Sequence, residues 1–381
     1  MISGESSYRE YLARLAGEKR VALDTEADSL HCYFEKLCLI QSGWGQDAQS
    51  GWAQNLQLID PLAGLPLEDF FEALKGKTIL FHDADYDLRL LRRSGEFPDQ
   101  DIFDTMIAAR LCGEPQLGLA ALVEKYFGVT LSKASRKANW AQRPLSDQMV
   151  EYALNDVRFL PQLADILAAR LEELGRLEWY GQSRDRMIRG TRETRQRDEE
   201  NLWRITGYAA LPPRGWAILR SLWRWRDSEA RLWDRPSFHV LSNENLLQLA
   251  SEAAKGSKFS RPRLPQPRAG RMEEALEEAL ALPESQWPQM IRGVRVRASK
   301  EQIDRFNRLR DHRDRIARDL DLDPSILAPK AALEAVAADP AAAVLLPWQR
   351  SLLGLSPLTE IIAEDNSELR EINEAAKAEA A

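Results

Sequence analysis

Three short apolar runs near the N-terminus, Arg20 to Thr25, Lys36 to Ser42 and Asn55 to Asp60, are separated by turn-forming stretches. Strands joined by such connections pair antiparallel, so the chain opens as a meander. The pattern then changes. Pro66 to Leu74 reads as a helix and Thr78 to His82 as a fourth strand. Tyr86 to Ser94 sets Leu88, Leu90 and Leu91 among charged residues, a helical spacing. Asp101 to Thr105 reads as a fifth strand and Met106 to Leu111 as a helix, with further helices over Leu119 to Phe127 and Asp147 to Leu174. A meander followed by strands alternating with helices predicts an α/β sheet with helices on its faces.

Onto this frame fall four carboxylates and a tyrosine. Asp24 and Glu26 end the first strand, and residues i and i+2 of a strand face one side. Tyr152 and Asp156 are four apart on a late helix and share a face. Asp87 opens the helix after the fourth strand. Ligands of open α/β sheets collect at strand ends of this kind. Acids gathered without a base repel one another unless a cation lies among them. Oxygen ligands without His or Cys suit Mg²⁺ or Mn²⁺, and two such ions are the usual apparatus for cutting a phosphodiester. On spacing alone Asp83, one helical turn before Asp87, is a rival to it. His82 reads as a strand end and Asp104 as a helix cap.

Composition removes several alternatives. At 381 residues the chain exceeds one typical core, so two or three domains are expected. No apolar run reaches the length of a membrane span, and the N-terminus lacks a signal-peptide core. Three cysteines without metal-site spacing fit a reducing cytoplasm, and four scattered histidines argue against zinc. The net charge of −7 counts against a nucleic-acid partner until its distribution is seen. Residues 1–180 hold 19 basic and 28 acidic residues, whereas residues 181–359 hold 31 and 24. An acidic front half able to attract cations precedes a basic middle able to hold phosphates.

The second half carries an internal repeat. LPPRGWAILRSLWRWRDSEARLWDRPSFHVLSNENLLQLA and ASKEQIDRFNRLRDHRDRIARDLDLDPSILAPKAALEAVA each pair an Arg-rich apolar helix with a P-S-F or P-S-I turn and an apolar helix.

The motifs LDTEADSLHCYFEKLCLIQ, LFHDADYDLRLL and RPLSDQMVEYALNDVRFLPQL resemble those of the DEDD exonuclease superfamily. D-x-E, a central Asp and Y-x-x-x-D mark its tyrosine-bearing subclass, and the layout is similar to the bacterial ribonuclease D family. The resemblance implies an α/β ribonuclease H-like exonuclease domain, with a mixed sheet flanked by helices, over residues 1–183. It implies a connector over 184–207 and two all-α HRDC helical bundles, at 208–290 and, more divergent, 291–366. An acidic tail, 367–381, is expected to be disordered. The pattern H-x-x-x-x-D selects Asp87 over Asp83.

The implied activity is 3′–5′ exoribonuclease, with tRNA precursors or other structured RNAs bearing a free 3′ end as partners. No membrane and no obligate protein partner is expected. Asp24, Glu26, Asp87 and Asp156 would hold two divalent ions, Mg²⁺ or Mn²⁺. Asp24 would bridge them, Glu26 and Asp156 would complete the site that holds the attacking water, and Asp87 would support the second ion. Tyr152 would aim the water. A DNA 3′–5′ exonuclease and a non-catalytic nucleic-acid-binding adaptor are the alternatives.

Lys133, Arg136, Lys137 and Trp140, just before the third motif, are candidate nucleic-acid contacts, with a solvated loop the alternative for the three basic residues. Asn139 stands where the family often has Asp before the tryptophan. Trp223 reads as core, Trp225 and Trp233 could stack bases, Lys258 to Arg271 reads as a basic Pro-rich loop, and Arg184 to Glu200 as an exposed connector.

Overall fold

The computed structural model describes residues 1–98, 101–132, 134–193, 198–256, 262–290 and 298–356. Lys133, residues 194–197 of the connector, residues 258–261 of the basic segment, residues 291–297 and 357–366 of the expected second bundle, and the tail 367–381 lie outside the described residues.

The first half runs α1 (Glu5–Ala16), β1 (Arg20–Ala27), β2 (Leu37–Gln46), β3 (Ala53–Ile59), α2 (Leu67–Leu74), β4 (Thr78–Phe81), α3 (Asp85–Ser94), β5 (Asp101–Asp104), α4 (Thr105–Leu111), α5 (Leu119–Phe127), α6 (Asp147–Arg158), α7 (Leu160–Glu173) and α8 (Leu177–Arg192). The described strands form one sheet in the order β3-β2-β1-β4-β5. The meander is antiparallel, and β1 pairs parallel with β4, which pairs parallel with β5. The sheet is therefore mixed and helix-flanked, as the sequence predicts.

β1 is central, and its alternation separates two cores. Val21 and Leu23 pack with Tyr8, Tyr11 and Leu15 of α1, Phe70, Phe71 and Leu74 of α2, and Leu88 and Leu91 of α3. Ala22 points the other way, with Leu80, against Val157, Leu160 and Ala164 of α6 and α7. Asp24 and Glu26 continue the Ala22 face to the end of the strand.

α8 departs from the expectation. The sequence predicts an exposed connector from Arg184 onward, yet the helix runs on to Arg192. Met187 and Ile188 pack on the first core. Arg89 of α3 donates to the carbonyls of Gly190 (2.6 Å) and Glu193 (3.1 Å), satisfying acceptors at a helix end that has no partner turn. The intermittent apolar residues are enough because α3 and other neighbouring elements supply further contacts, as in the Arg184–Asp101 ion pair and the Arg186 bond to the Val344 carbonyl.

The second half is helical: α9 (Pro213–Trp233), α10 (Ser237–Val240), α11 (Asn243–Ala254) and α12 (Gln266–Ala281), then α13 (Lys300–Asp319), α14 (Pro324–Leu327), α15 (Lys330–Ala338) and α16 (Pro347–Leu352). The internal repeat is visible in the backbone. Each long helix, α9 and α13, is followed by an aspartate at positive φ, Asp234 (46°) and Asp321 (51°), and then by a short Pro-Ser helix. Asp tolerates this left-handed region better than most residues, so it suits a tight corner.

Both corners meet the first half. Asp234 accepts from the backbone N–H of Tyr33 and of Phe34, each at 3.1 Å. At the other corner, Arg176 donates to the Leu320 carbonyl at 2.8 Å, and Trp348 stacks on Trp179 at 4.8 Å.

Two further expectations need correction. The basic segment is not a loop throughout. α12 begins at Gln266, and Arg268 and Arg271 both pair with the buried Glu229 of α9, so neither is held ready for a phosphate. Trp225 is buried in the core of the first repeat, which removes it as a stacking surface; Trp223 packs partly buried against the same core.

Candidate active site

The sheet and helices bring the predicted residues to one cleft of about 880 Å³, lined among others by Asp24, Glu26, Asp87, Tyr152 and Asp156. One carboxylate oxygen from each of Asp24, Glu26 and Asp156 can be chosen so that all lie within 4.8 Å of one another. Asp87 is not part of this triad but lines the same cleft.

Each group has a local reason for its place. Ser146 caps α6 by accepting from the Met149 N–H, which fixes where the helix starts. Met149, Ala153 and Val157 are the buried face of α6. Tyr152 and Asp156 flank that stripe and so overhang the end of β1. Asp104 is 1% exposed and accepts from the backbone N–H of Ala84 (2.8 Å), Asp83 (3.3 Å), Met106 (2.8 Å) and Ile107 (3.0 Å). It is the helix cap that the sequence suggests, and it also holds the turn into α3. That turn puts Asp83 at φ 69° and leaves it exposed, while Asp87 faces inward at 5% exposed. Thr25 Oγ1 donates to Asp87 Oδ1 at 2.5 Å. The choice between Asp83 and Asp87 is thereby made by where the helix starts: α3 begins at Asp85, so Asp83 falls in the left-handed turn before it and Asp87 on the helix.

The electrostatics are those of uncompensated acids. Burial, then the charges of Asp87, Asp156 and Glu26, holds Asp24 well above the usual carboxylate range. Burial with Asp156 and Asp87 pushes Glu26 up to about 9. Asp156 is raised to about 7 by burial and Asp87, and Asp87 to about 7 by burial against the lowering bond from Thr25. No ion pair among the described residues engages these four. An all-oxygen donor set whose charge is disfavoured without a counterion fits a hard divalent cation. Burial and the carboxylates also raise the Tyr152 phenol, so it stays protonated at neutral pH.

The remaining candidates divide. Arg136 is exposed and lines the cleft. Lys137 is exposed outside it, with its carbonyl 3.4 Å from His31 Nε2. Trp140 as a nucleic-acid contact is corrected: it is 1% exposed and packs behind Tyr152, ring centroids 6.0 Å apart, so it steadies that ring. His82 directly follows β4, which ends at Phe81, one residue earlier than expected. Burial lowers its pKa to about 4, and its Nδ1 lies 2.8 Å from Thr105 Oγ1. Sequence reasoning missed Tyr86, a half-exposed ring on the cleft wall beside Asp87 that donates to Glu35. Its position in H-D-A-D-Y-D, one residue from the selected acid, was the available signal. A neighbouring cleft of about 1010 Å³, which shares Asp83 and Met106, runs on towards Asp321 and Trp348.

A mixed sheet with acids converging at the end of its central strand defines the class: a sequence model of 3′–5′ exonucleases matches residues 1–172. The chain belongs to the ribonuclease D family of 3′–5′ exoribonucleases. It is 32% identical over 295 residues to the ribonuclease D of Jannaschia sp., covering 74% of this chain and 75% of that one. With the Pseudomonas paraeruginosa ribonuclease D it shares 30% over 304 residues, 76% and 77% of the two chains. The match to the Shewanella sp. ribonuclease D is 33% identical and covers 67% of this chain but only 64% of the relative. Among solved structures, a protein from Bifidobacterium adolescentis superposes with a TM-score of 0.79 at 26% identity, covering 93% of this chain and 94% of its own. Escherichia coli RNase D shares the fold at a TM-score of 0.66 and 24% identity, covering 97% and 98%.

Proposed function

We propose that this chain removes nucleotides from the 3′ end of RNA, releasing nucleoside 5′-monophosphates, with two divalent ions, Mg²⁺ or Mn²⁺, at the acid cluster. The observation that carries the reading is the meeting of Asp24, Glu26 and Asp156 within 4.8 Å at the head of a cleft that Asp87 and Tyr152 also line. When bound, the ions supply charge neutralisation on the entering and leaving oxygens of an in-line displacement at phosphorus.

The protein's share is placement. Asp24, central among the acids, would be the shared ligand. Glu26 and Asp156 would hold the ion on the side of the attacking water. Asp87, fixed by Thr25, would serve the side of the leaving 3′ oxygen. Tyr152 keeps its proton and can hydrogen-bond the water, aiming it along the P–O axis. Arg136, exposed on the cleft, is the basic side chain placed to meet a phosphate.

Structured RNA, with tRNA precursors first, is the proposed substrate. The two helical repeats are read as HRDC bundles that bring it to the nuclease, within the boundaries 208–290 and 291–366. Three buried, unpaired cysteines agree with a reducing cytoplasm.

The test is product analysis on a tRNA carrying extra 3′ nucleotides, beside a matched DNA, with and without divalent ion. Mononucleotides from RNA only when Mg²⁺ or Mn²⁺ is present support the reading. Preferential loss from the DNA would make the chain a DNA exonuclease, and no product from either strand would leave a binding adaptor.

A further inference from the structure

Gln41 of β2 lies directly opposite Asp24 of β1 in the antiparallel register. Opposed residues of such a pair point to the same side with Cβ atoms about 4.5–5.5 Å apart. The Gln41 side chain therefore stands on the acid-bearing face, beside the innermost acid. It is 0% exposed, and neither Oε1 nor Nε2 has a hydrogen-bond partner among the described residues. Buried side-chain amides are nearly always satisfied, so an amide orphaned at both atoms calls for a reason.

Its other neighbours along and across the sheet are apolar. Along β2 its neighbours on that face are Leu39 and Gly43, and across the sheet on β3 is Leu58. Over them lies α6, with Met149 and Ala153 in one cluster with Leu39 and Leu58. The Val157 carbonyl is 3.4 Å from where a Cβ on Gly43 would stand, so this face of β2 is covered by helix. Asp24 is the polar side chain directly opposite it in the register.

We propose that Gln41 is a positioning residue for the cation ligands: with the cluster loaded, its Nε2 donates to the Asp24 carboxylate and fixes which oxygen that group turns to the ions. Ligating side chains are commonly oriented by such a partner behind them. Asp87 already has one in Thr25. No side-chain hydrogen bond to the Asp24 carboxylate is present among the described residues, which leaves its lone pairs for the amide. In the cation-free protein the acids repel one another and the amide stands idle. The inference rests on the metal-dependent reading above.

This assignment separates two quantities that a packing role would move together. Replacing the amide by an apolar group of similar size removes two unsatisfied buried atoms, which does not destabilise the cation-free fold. It also removes the orienting bond, which weakens cation binding. The full-length chain carrying Gln41→Met, and separately Gln41→Leu, is titrated with Mn²⁺ by calorimetry and melted with and without Mn²⁺, beside wild type and Asp24→Asn.

The expected result is a Kd for Mn²⁺ weakened about 10- to 100-fold in the Gln41 variants. The rise in Tm on adding Mn²⁺ should shrink, and the cation-free Tm should match or exceed that of wild type. Wild-type Mn²⁺ affinity in both variants, with binding lost in Asp24→Asn, overturns the role of Gln41 alone. A lower cation-free Tm with the full Mn²⁺ shift overturns it too, by making the amide a packing group. If wild type takes up no Mn²⁺ and Asp24→Asn changes nothing, the metal reading itself fails and this inference goes with it.

Discussion

Thr25 and Asp87 are joined across the end of the sheet: the Thr25 hydroxyl donates to Asp87 Oδ1 at 2.5 Å, and both residues are buried. Thr25 lies between Asp24 and Glu26 in sequence, yet its side chain points to the opposite face. The strand that presents two acids to α6 thus uses the residue between them to hold the acid on α3. Val is nearly the same shape as Thr but has no hydroxyl. Thr25→Val should leave the fold intact and free the Asp87 carboxylate, lowering kcat about 10-fold with little change in KM. Steady-state kinetics on a short RNA decides this, and an unchanged kcat would show the bond to be incidental.

The central acids carry a stronger expectation. Asp24→Asn or Asp156→Asn keeps the shape of the side chain and removes a charge from the ligand set. Cleavage should fall by at least ~10³-fold, because groups that act as one unit do not compensate for each other. Binding of RNA, measured by fluorescence anisotropy, should survive, since removal of an acid does not weaken the attraction for phosphate. Turnover retained in both variants would contradict the ligand assignment.

Burial and mutual repulsion also predict how stability follows pH. In the folded, cation-free protein Glu26 is raised to about 9 and Asp87 and Asp156 to about 7, whereas unfolded carboxylates titrate near 4. Between those limits the folded state holds protons that the unfolded chain has released. The stability conferred by protonation is therefore present at the acidic end and declines as pH rises from about 5 to about 9. Bound cations replace those protons. The Tm without divalent ions should fall across this range, and saturating Mg²⁺ or Mn²⁺ should flatten the fall. A cation-free Tm that holds steady from pH 5 to 9 would mean that the acids do not repel as their placement requires.

Tyr152 keeps its proton and leans on the buried Trp140. Tyr152→Phe preserves the ring and that packing while removing the hydroxyl that aims the water. The rate of the chemical step should drop roughly 10- to 100-fold with RNA affinity unchanged. Single-turnover kinetics reads the step directly, and a wild-type rate would remove Tyr152 from the mechanism.

The acids were legible in the sequence because strand and helix periods are short-range rules: i, i+2 on β1 and i, i+4 on α6 fix relative direction without knowledge of the fold. Asp83 and Asp87 are four apart, so the same periods leave both open; the pattern H-x-x-x-x-D selects Asp87, which α3 turns inward while Asp83 stays in the turn before the helix. What stayed hidden depends on neighbours distant in sequence. α1 was not anticipated, although Tyr8, Tyr11 and Leu15 carry a helical spacing; its cap residue Gly4 makes no side-chain bond, so no start signal is written there. Trp140 reads as a candidate nucleic-acid contact beside basic residues because nothing local reveals that it is buried behind Tyr152. Gln41 ends an apolar run, and only the β1–β2 register shows what it faces. α8 reads as a connector because the elements it packs against, α3 among them through Arg89 and Arg92, are distant in sequence.

The corner after α9 reaches the cleft through the segment between β1 and β2. Asp234 accepts from the Tyr33 and Phe34 N–H groups, Arg235 donates to the His31 carbonyl at 2.7 Å, and the Tyr33 hydroxyl meets Asp227 at 2.9 Å. Ser29 and Leu30 of the same segment line the cleft wall. The first helical repeat thus holds a wall of the site from behind, at a distance from the acids. Asp234→Ala removes the acceptor for two N–H groups and places a β-carbon residue less suited to φ 46° at the corner. Two such bonds, at about 1 kcal/mol each, correspond to a rise in KM for RNA of roughly 5- to 30-fold. Mn²⁺ affinity should not move, because none of the ligands is touched. Asp234→Asn keeps an acceptor oxygen and tolerates the corner, so it should restore most of the wild-type KM. If Asp234→Ala binds and cleaves RNA as wild type does, the wall stands without the helical repeat, and the repeat contributes to the reaction only by what it contacts on the substrate.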